Sequence, residues 1–305
     1  MPTYDILGFG AVAVDDLLYV DGYPPAESKV RVRYRLRQCG GLTGTALVAA
    51  ARLGARCAYA GLLGNDELSR YVSDCFAREG IDTTYCARRE RAQPAHSTII
   101  VDEIHQTRTV FASLDGDIGA DAELPAEELI RSARAILVDH HGLQGTIRAA
   151  RIARDSGAAV VADFERIPEG DFDQLLSLVD HLVVSTRFAA ELCGMSDPAQ
   201  AATALWTPER RAVVVTCGAR GSWLLDAKSK EPAHFPAYPV KVIDTTGCGD
   251  VFHGAYAASL AKNKTPAECV KIASIAAALK AEKRGGQAGC PTLQSVEEFL
   301  RAGNG

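Results

Sequence analysis

The run Asp244-Thr245-Thr246-Gly247-Cys248-Gly249-Asp250 sets small residues directly against the start of a helical pattern. Glycines at 247 and 249 let the backbone turn tightly and bring its N–H groups up to an anion, and the positive end of the following helix adds to the attraction. Asp250 falls in that helix's first turn, where the dipole favours an ionised carboxylate. Beside an anion hole, a carboxylate has one sensible chemical use: it deprotonates or orients a hydroxyl that attacks a phosphorus held by the amides of Gly247, Cys248 and Gly249. A lone Asp before a helix is more commonly a simple N-cap. The Gly-x-Gly-Asp context and Asp244 upstream favour the catalytic use.

The elements that must carry this loop are legible as an alternation. Short runs rich in Val, Ile and Ala, at 4–9, 57–61, 135–139, 158–163, 181–185 and 212–217, alternate with amphipathic segments such as Thr45 to Leu53, which stops at Gly54 as a C-cap should. That is an α/β pattern: a doubly wound, mostly parallel sheet with helices on both faces. Two stretches break the rhythm. Lys29 to Arg37 alternates strictly, with Val30, Val32, Tyr34 and Leu36 on one side and basic residues on the other. Ala95 to Val101 and Arg108 to Ser113 are one-sided strands around a polar turn at Glu103 to Gln106. With Ala11 to Val20 they predict a small separate sheet, so the expectation is one domain over residues 1–305 with lid strands inserted at about 11–37 and 95–114. Its apolar face would have nothing in the main body to cover it, which points to closure over a ligand and to a homodimer paired through the lid.

Composition narrows the function classes. Across 305 residues, hydrophobic residues are 47% and charged residues 23%, ordinary globular proportions, and the net charge of −5 favours neither nucleic acid nor an anionic membrane as partner. No apolar run is long enough to span a bilayer, and Met1 to Asp5 lacks the features of a secretory signal, so the expected location is the cytoplasm. The nine cysteines are odd in number and have no zinc-type spacing, as reduced thiols in a reducing compartment would.

The segment from Asp244 to Ala257 resembles the C-terminal signature of the ribokinase-like (PfkB) family of carbohydrate kinases, with Cys248 where that family usually has Ala. Cys248 is little larger than Ala and leaves the amide available, while exposing the loop to oxidation. The family's N-terminal signature appears as Gly40-Gly41-Leu42-Thr43-Gly44-Thr45-Ala46, with Gly44 read at the place of the usual sugar-binding Asn. Gly61-x-x-Gly64-x-Asp66, Gly80-Ile81-Asp82 and Gly285-Gly286 match structural turns, and a capping box at Thr265 to Glu268 opens the helix that flanks the adenine in the family. The resemblance implies a ribokinase-like three-layer α/β/α fold with a small β-sheet lid. It also implies ATP and Mg2+ as cofactors, a monovalent cation such as K+ near the Asp244 loop, and direct transfer of the ATP γ-phosphoryl group to a primary hydroxyl of a sugar.

Carried over residue by residue, the resemblance makes Asp250 the base and Asp15, Lys29, Gly40, Gly41 and Arg108 substrate-side positions. Ser185, Thr216, Gly218, Gly221 and Thr246, together with Gly247 and Gly249, face the nucleotide. No protein ligand to a metal is expected, because the family's Asn-x-x-Glu motif reads Ser185-Thr186-Arg187-Phe188 here, which leaves magnesium to ATP phosphates and water. This loss, together with Tyr19 to Pro24 and Thr107 to Val110, makes the chain similar to the ketohexokinase and sulfofructose kinase branch and favours a ketose. His141 replaces the Arg that would clamp an anionic sulfosugar in that branch, and His140 and His141 themselves read as packed rather than functional. A nucleoside or sulfosugar kinase and a sugar or nucleotide sensor that no longer turns over stay open. Gly8-Phe9-Gly10-Ala11-Val12-Ala13 superficially matches a dinucleotide fingerprint, but the strand-like residues after it supply no helix N-terminus for a pyrophosphate.

Overall fold

The computed structural model describes residues 3–105 and 107–302. In chain order, the first half comprises β1 (Tyr4–Phe9), β2 (Ala13–Val20), β3 (Tyr34–Gly40), α1 (Leu42–Arg52), β4 (Cys57–Tyr59), β5 (Leu62–Leu63), α2 (Glu67–Arg78), β6 (Ala87–Arg88), β7 (Ala95–Asp102) and β8 (Thr107–Ser113). There follow α3 (Glu127–Arg131), β9 (Ala133–Asp139), α4 (Leu143–Ser156), β10 (Ala159–Phe164), α5 (Phe172–Ser177), β11 (His181–Ser185), α6 (Thr186–Cys193), α7 (Pro198–Ala204) and β12 (Ala212–Thr216). The chain closes with β13 (Ser222–Asp226), β14 (Ala233–Phe235), α8 (Cys248–Ala261), α9 (Pro266–Ala281) and α10 (Leu293–Arg301).

The eight-stranded sheet has the order β14-β13-β12-β11-β10-β9-β1-β4 and is parallel from β12 to β4, with β13 and β14 antiparallel at one end. Its central strands read as apolar runs because both faces are buried. In β9, Leu137 joins the core beneath α1, α8 and α9, while Ile136 and Val138 join the core beneath α4 and α5. That alternation makes three layers, helix on sheet on helix. Strand order reverses at β1, which pairs β4 on one side and β9 on the other, and the carboxyl ends of such strands are where doubly wound sheets place their ligand sites.

The second sheet, β3-β2-β7-β8, is the small separate sheet expected, with two corrections. Its first hairpin returns only at Tyr34, and Lys29 to Arg33 lie outside any strand. Pro24, Pro25 and the left-handed Glu27 (φ 57°) delay pairing, and the basic alternation before Tyr34 is a solvated run. The apolar face is covered within one chain along β2 and β7, where Leu17, Tyr19, Ile99 and Val101 are 0–4% exposed with Leu36 packed against them, while Val110, paired with Ile99 on β8, stays 49% exposed. The polar turn of the second hairpin reaches Gln106, which lies outside the described residues. Helix α1 starts three residues earlier than its periodicity predicts, because Gly41 at φ 83° caps it.

Candidate active site

Gly247 adopts φ 74°, a left-handed conformation natural to glycine, and so turns the chain into α8 with Cys248 as its first helical residue. The Cys248 amide bends back to Thr245 O at 3.3 Å. Among the described residues, no protein acceptor takes the amides of Gly247, Gly249 or Asp250. Of the three amides expected to hold an anion, two are therefore free and the middle one is tied into the loop, with the Asp250 amide as a further free donor. A Cβ on Gly249 would meet open space, so this side of the turn faces the cleft.

Asp250 sits in the first turn of α8, reachable by solvent yet surrounded by protein. Burial, and then the carboxylates of Asp163, Glu165 and Asp15, push its pKa well above the ordinary value, with Arg108 opposing them. The helix dipole alone favours the ionised group, and burial, followed by the neighbouring negative charge, acts against it. The rest of α8 is fixed by His253, whose Nε2 lies 2.9 Å from Val183 O and Nδ1 2.8 Å from Gly249 O. Because Nδ1 is turned to that carbonyl, Asp163 Oδ2 accepts no hydrogen bond although it lies 3.2 Å away. Helices α1 and α8 cross without side chains between them, since a Cβ on Gly254 would overlap the Ala46 carbonyl.

The lid and α1 bring the substrate-side residues to the same place. A Cβ on Gly40 would overlap the Asp15 carboxylate, so glycine there is what lets β3 run under it. Asp15 is 8% exposed, and burial raises its pKa to about 6 despite a hydrogen bond from Ser97. At Gly41 a Cβ would come within 2.5 Å of Ala11 O. Arg108 reaches from β8 across to the phosphate loop, donating from Nη1 to Thr245 Oγ1 at 3.1 Å. Asp15, Gly40, Gly41, Arg108 and Asp250 thus converge. Lys29 does not: it is exposed, lies outside the strand and makes no hydrogen bond or ion pair among the described residues.

The nucleotide-side residues lie at the carboxyl ends of neighbouring strands. Ser185 and Thr216 are register partners of β11 and β12, and Ser185 Oγ caps α6 by accepting from Phe188 N at 3.2 Å. Gly218 (φ 57°) and Gly221 (φ 87°) flank a tight turn after β12. Thr246 is buried, its amide donating to Asp244 Oδ1 at 2.8 Å. Phe188, where the family pattern has an acidic residue, is 1% exposed and packs on Phe172. His140 is 4% exposed and burial takes its pKa down to about 4, while His141 bonds Asp139, as packed histidines do.

Three positions went unseen in the sequence. From α1, Thr45 rather than Gly44 faces the loop: its Cγ2 lies 3.4 Å from where a Gly247 Cβ would be, whereas Gly44 faces Val12, Gln287 and Phe76 in the interior. Counting from the Gly41 cap finds it, one turn into the helix. Asp163 is marked by its place at the end of a buried strand. Lys280 carries the third signal, falling on the core stripe of α9 with Cys269, Ala273 and Ala276. Cys248 is less reactive than expected, because burial pushes its thiol up to about 11 and leaves little thiolate. All nine cysteines are unpaired, and no helix among the described residues is long and apolar enough to cross a membrane.

The sequence profile of the pfkB family of carbohydrate kinases matches residues 5–293. A ribokinase from Haemophilus influenzae is 28% identical, over 95% of this chain and 96% of its own. An aminoimidazole riboside kinase from Salmonella typhimurium is 25% identical over 86% and 87%. The solved structure of a ribokinase candidate from Agrobacterium tumefaciens superposes with a TM-score of 0.90 at 28% identity, covering 97% of this chain and 96% of the other.

Proposed function

The chain belongs to the pfkB family of carbohydrate kinases, and from that premise we propose that it moves the γ-phosphoryl group of ATP to the primary hydroxyl of a sugar, a fructose-like ketose. The observation that carries the reading is Asp250, poised at the head of α8 beside the free amides of Gly247 and Gly249. Asp15 orients the acceptor by accepting from its hydroxyls. As the acceptor oxygen forms its bond to phosphorus, its proton passes to Asp250, and the bond between phosphorus and the leaving ADP oxygen breaks. The free amides and Arg108 meet the charge on the transferring group.

The residues fit Mg2+ carried on the nucleotide. No carboxylate enters from α6, where Phe188 is core, but Asp163 offers a buried oxygen with no donor and Glu165 lies near enough to raise the pKa of Asp250. These two would accept from the water shell of the ion, which when bound neutralises phosphate charge. The ketose reading rests on the branch-like segments Tyr19 to Pro24 and Thr107 to Val110. Ribose or a nucleoside is the second reading, favoured by the ribokinase and riboside kinase likenesses. We also read the protein as a cytoplasmic homodimer: its cysteines are unpaired, and β8 is exposed along its whole length, with Val110 and Phe111 49% and 54% exposed.

ATP consumption across ketoses, aldoses and nucleosides, with product analysis, tests the reading; silence with every acceptor would favour a sensor. Asp250→Asn should lose about 10²- to 10⁴-fold in turnover while keeping its ATP affinity in calorimetry, and near-normal turnover would remove Asp250 from its role.

A further inference from the structure

The family resemblance puts a monovalent cation beside the Asp244 loop, and the residues there do not fit one, because the position is filled from within the chain. Lys280, in the last turn of α9, is 0% exposed. Its Nζ donates to Asp244 O at 2.7 Å and to Lys283 O at 3.4 Å. Among the described residues, no carboxylate stands within ion-pair distance of it. The ammonium is met by main-chain carbonyls, the kind of oxygen ligand that replaces the hydration shell of a desolvated alkali-metal ion. Burial pulls the pKa of Lys280 down, while Cys248 and Asp244 at longer range pull it back up.

A buried charge is expensive, and an apolar side chain of similar length would fill the same space without that penalty. What uses the charge is the loop above it. The amides of Ile243 and Asp244 donate to Ala281 O at 2.8 and 3.1 Å, tying the loop's first residues to the end of α9. On its carboxylate side Asp244 accepts from Tyr19 Oη, Thr246 N and Gly285 N, each at 2.8 Å. Lys280 supplies what remains, a cation on the Asp244 carbonyl. From there the chain runs three residues to Gly247 and the amides that face the transferring phosphoryl group.

We propose that Lys280 is a built-in monovalent cation: its ammonium takes the place of an alkali-metal ion, holds the Asp244–Gly249 loop in its anion-accepting shape, and makes both that shape and phosphoryl transfer independent of K+. It is a positioning residue, acting through the loop. The transfer part rests on the kinase reading, and the ion part does not.

The test compares thermal unfolding and turnover of the native protein in chlorides of K+, Na+ and tetramethylammonium at equal ionic strength. The expected result is one unfolding midpoint and turnover equal within about twofold, whereas a rise specific to K+ would overturn the proposal. Lys280→Met keeps the length and removes the charge, and should lose on the order of ten- to a hundredfold in turnover with a smaller change in ATP affinity. Lys280→Ala bares the carbonyls, and K+ or methylammonium should then raise both its midpoint and its turnover where tetramethylammonium does not. Normal turnover in Lys280→Met, or a folded Lys280→Ala that ignores every cation, would reduce Lys280 to packing. Should either variant fail to fold, the native salt series still decides. Should no sugar turn over, the unfolding series still reads the ion claim separately from the kinase reading.

Discussion

Two carboxylates in the cleft are held against their preference. Asp15 has a folded pKa near 6 because burial disfavours its charge, against 3.8 when unperturbed. A raised folded pKa means that the folded state is relatively more stable below about pH 4, and that this advantage is lost as pH rises through about 6. Asp15→Asn should therefore make the protein more stable at pH 8 by about 2–3 kcal/mol in denaturant titrations, with little change at pH 4. The same substitution should raise the sugar KM sharply. An equal effect at both pH values would show that Asp15 is not strained by its own charge. This is how much of the site could be read from residues: Asp250 and its glycines announce themselves because few other uses fit their spacing. Lys280 and Thr45 do not, because a lysine in an apolar helix and a threonine one place along from a glycine acquire meaning only once the loop above them is in place. Lys29 is the hardest to read, because a basic residue near an expected cleft looks the same as one in a solvated turn.

Among elements, the crossing of α1 and α8 is the tightest constraint. Gly254 allows the Ala46 carbonyl to approach where a methyl group would overlap it. Gly254→Ala should therefore destabilise by about 2 kcal/mol or more, since two packed helices must separate, and urea unfolding would measure it. A change under half that size would mean the helices can slide. Strand periodicity was legible wherever both faces are buried, which is why β1 and β11 match their apolar runs residue for residue. It failed at Lys29 to Arg33, where alternation continues in the sequence but two prolines and a left-handed residue postpone pairing. The antiparallel β13 and β14 were missed because short strands at the end of a sheet carry neither a long apolar run nor clean alternation.

For the whole molecule, the proposed dimer places its seam on the small sheet. Its inner face is buried in one chain along β2 and β7, so the proposed pairing of two copies would use what stays exposed, the edge strand β8 with Val110 and Phe111. Light scattering at micromolar concentration should give the mass of two chains, and Phe111→Lys should halve it; a native monomer would remove the dimer. The outer face is not uniformly apolar, since Arg37 pairs with Asp16 at 2.8 Å and His96 lies 2.9 Å from the same carboxylate. That mixture is why a single added charge should suffice to weaken the proposed association.

The same sheet also touches the phosphate loop through Tyr19 on Asp244 and Arg108 on Thr245. These two bonds act as an interlock. Under the kinase reading, lifting β8 to admit a sugar would break the Arg108 bond to Thr245 and withdraw a positive charge from the loop, and the open protein would then be a poor ATPase. Closure of the sheet would restore the guanidinium, so wasteful hydrolysis would be restrained by the same motion that admits the sugar.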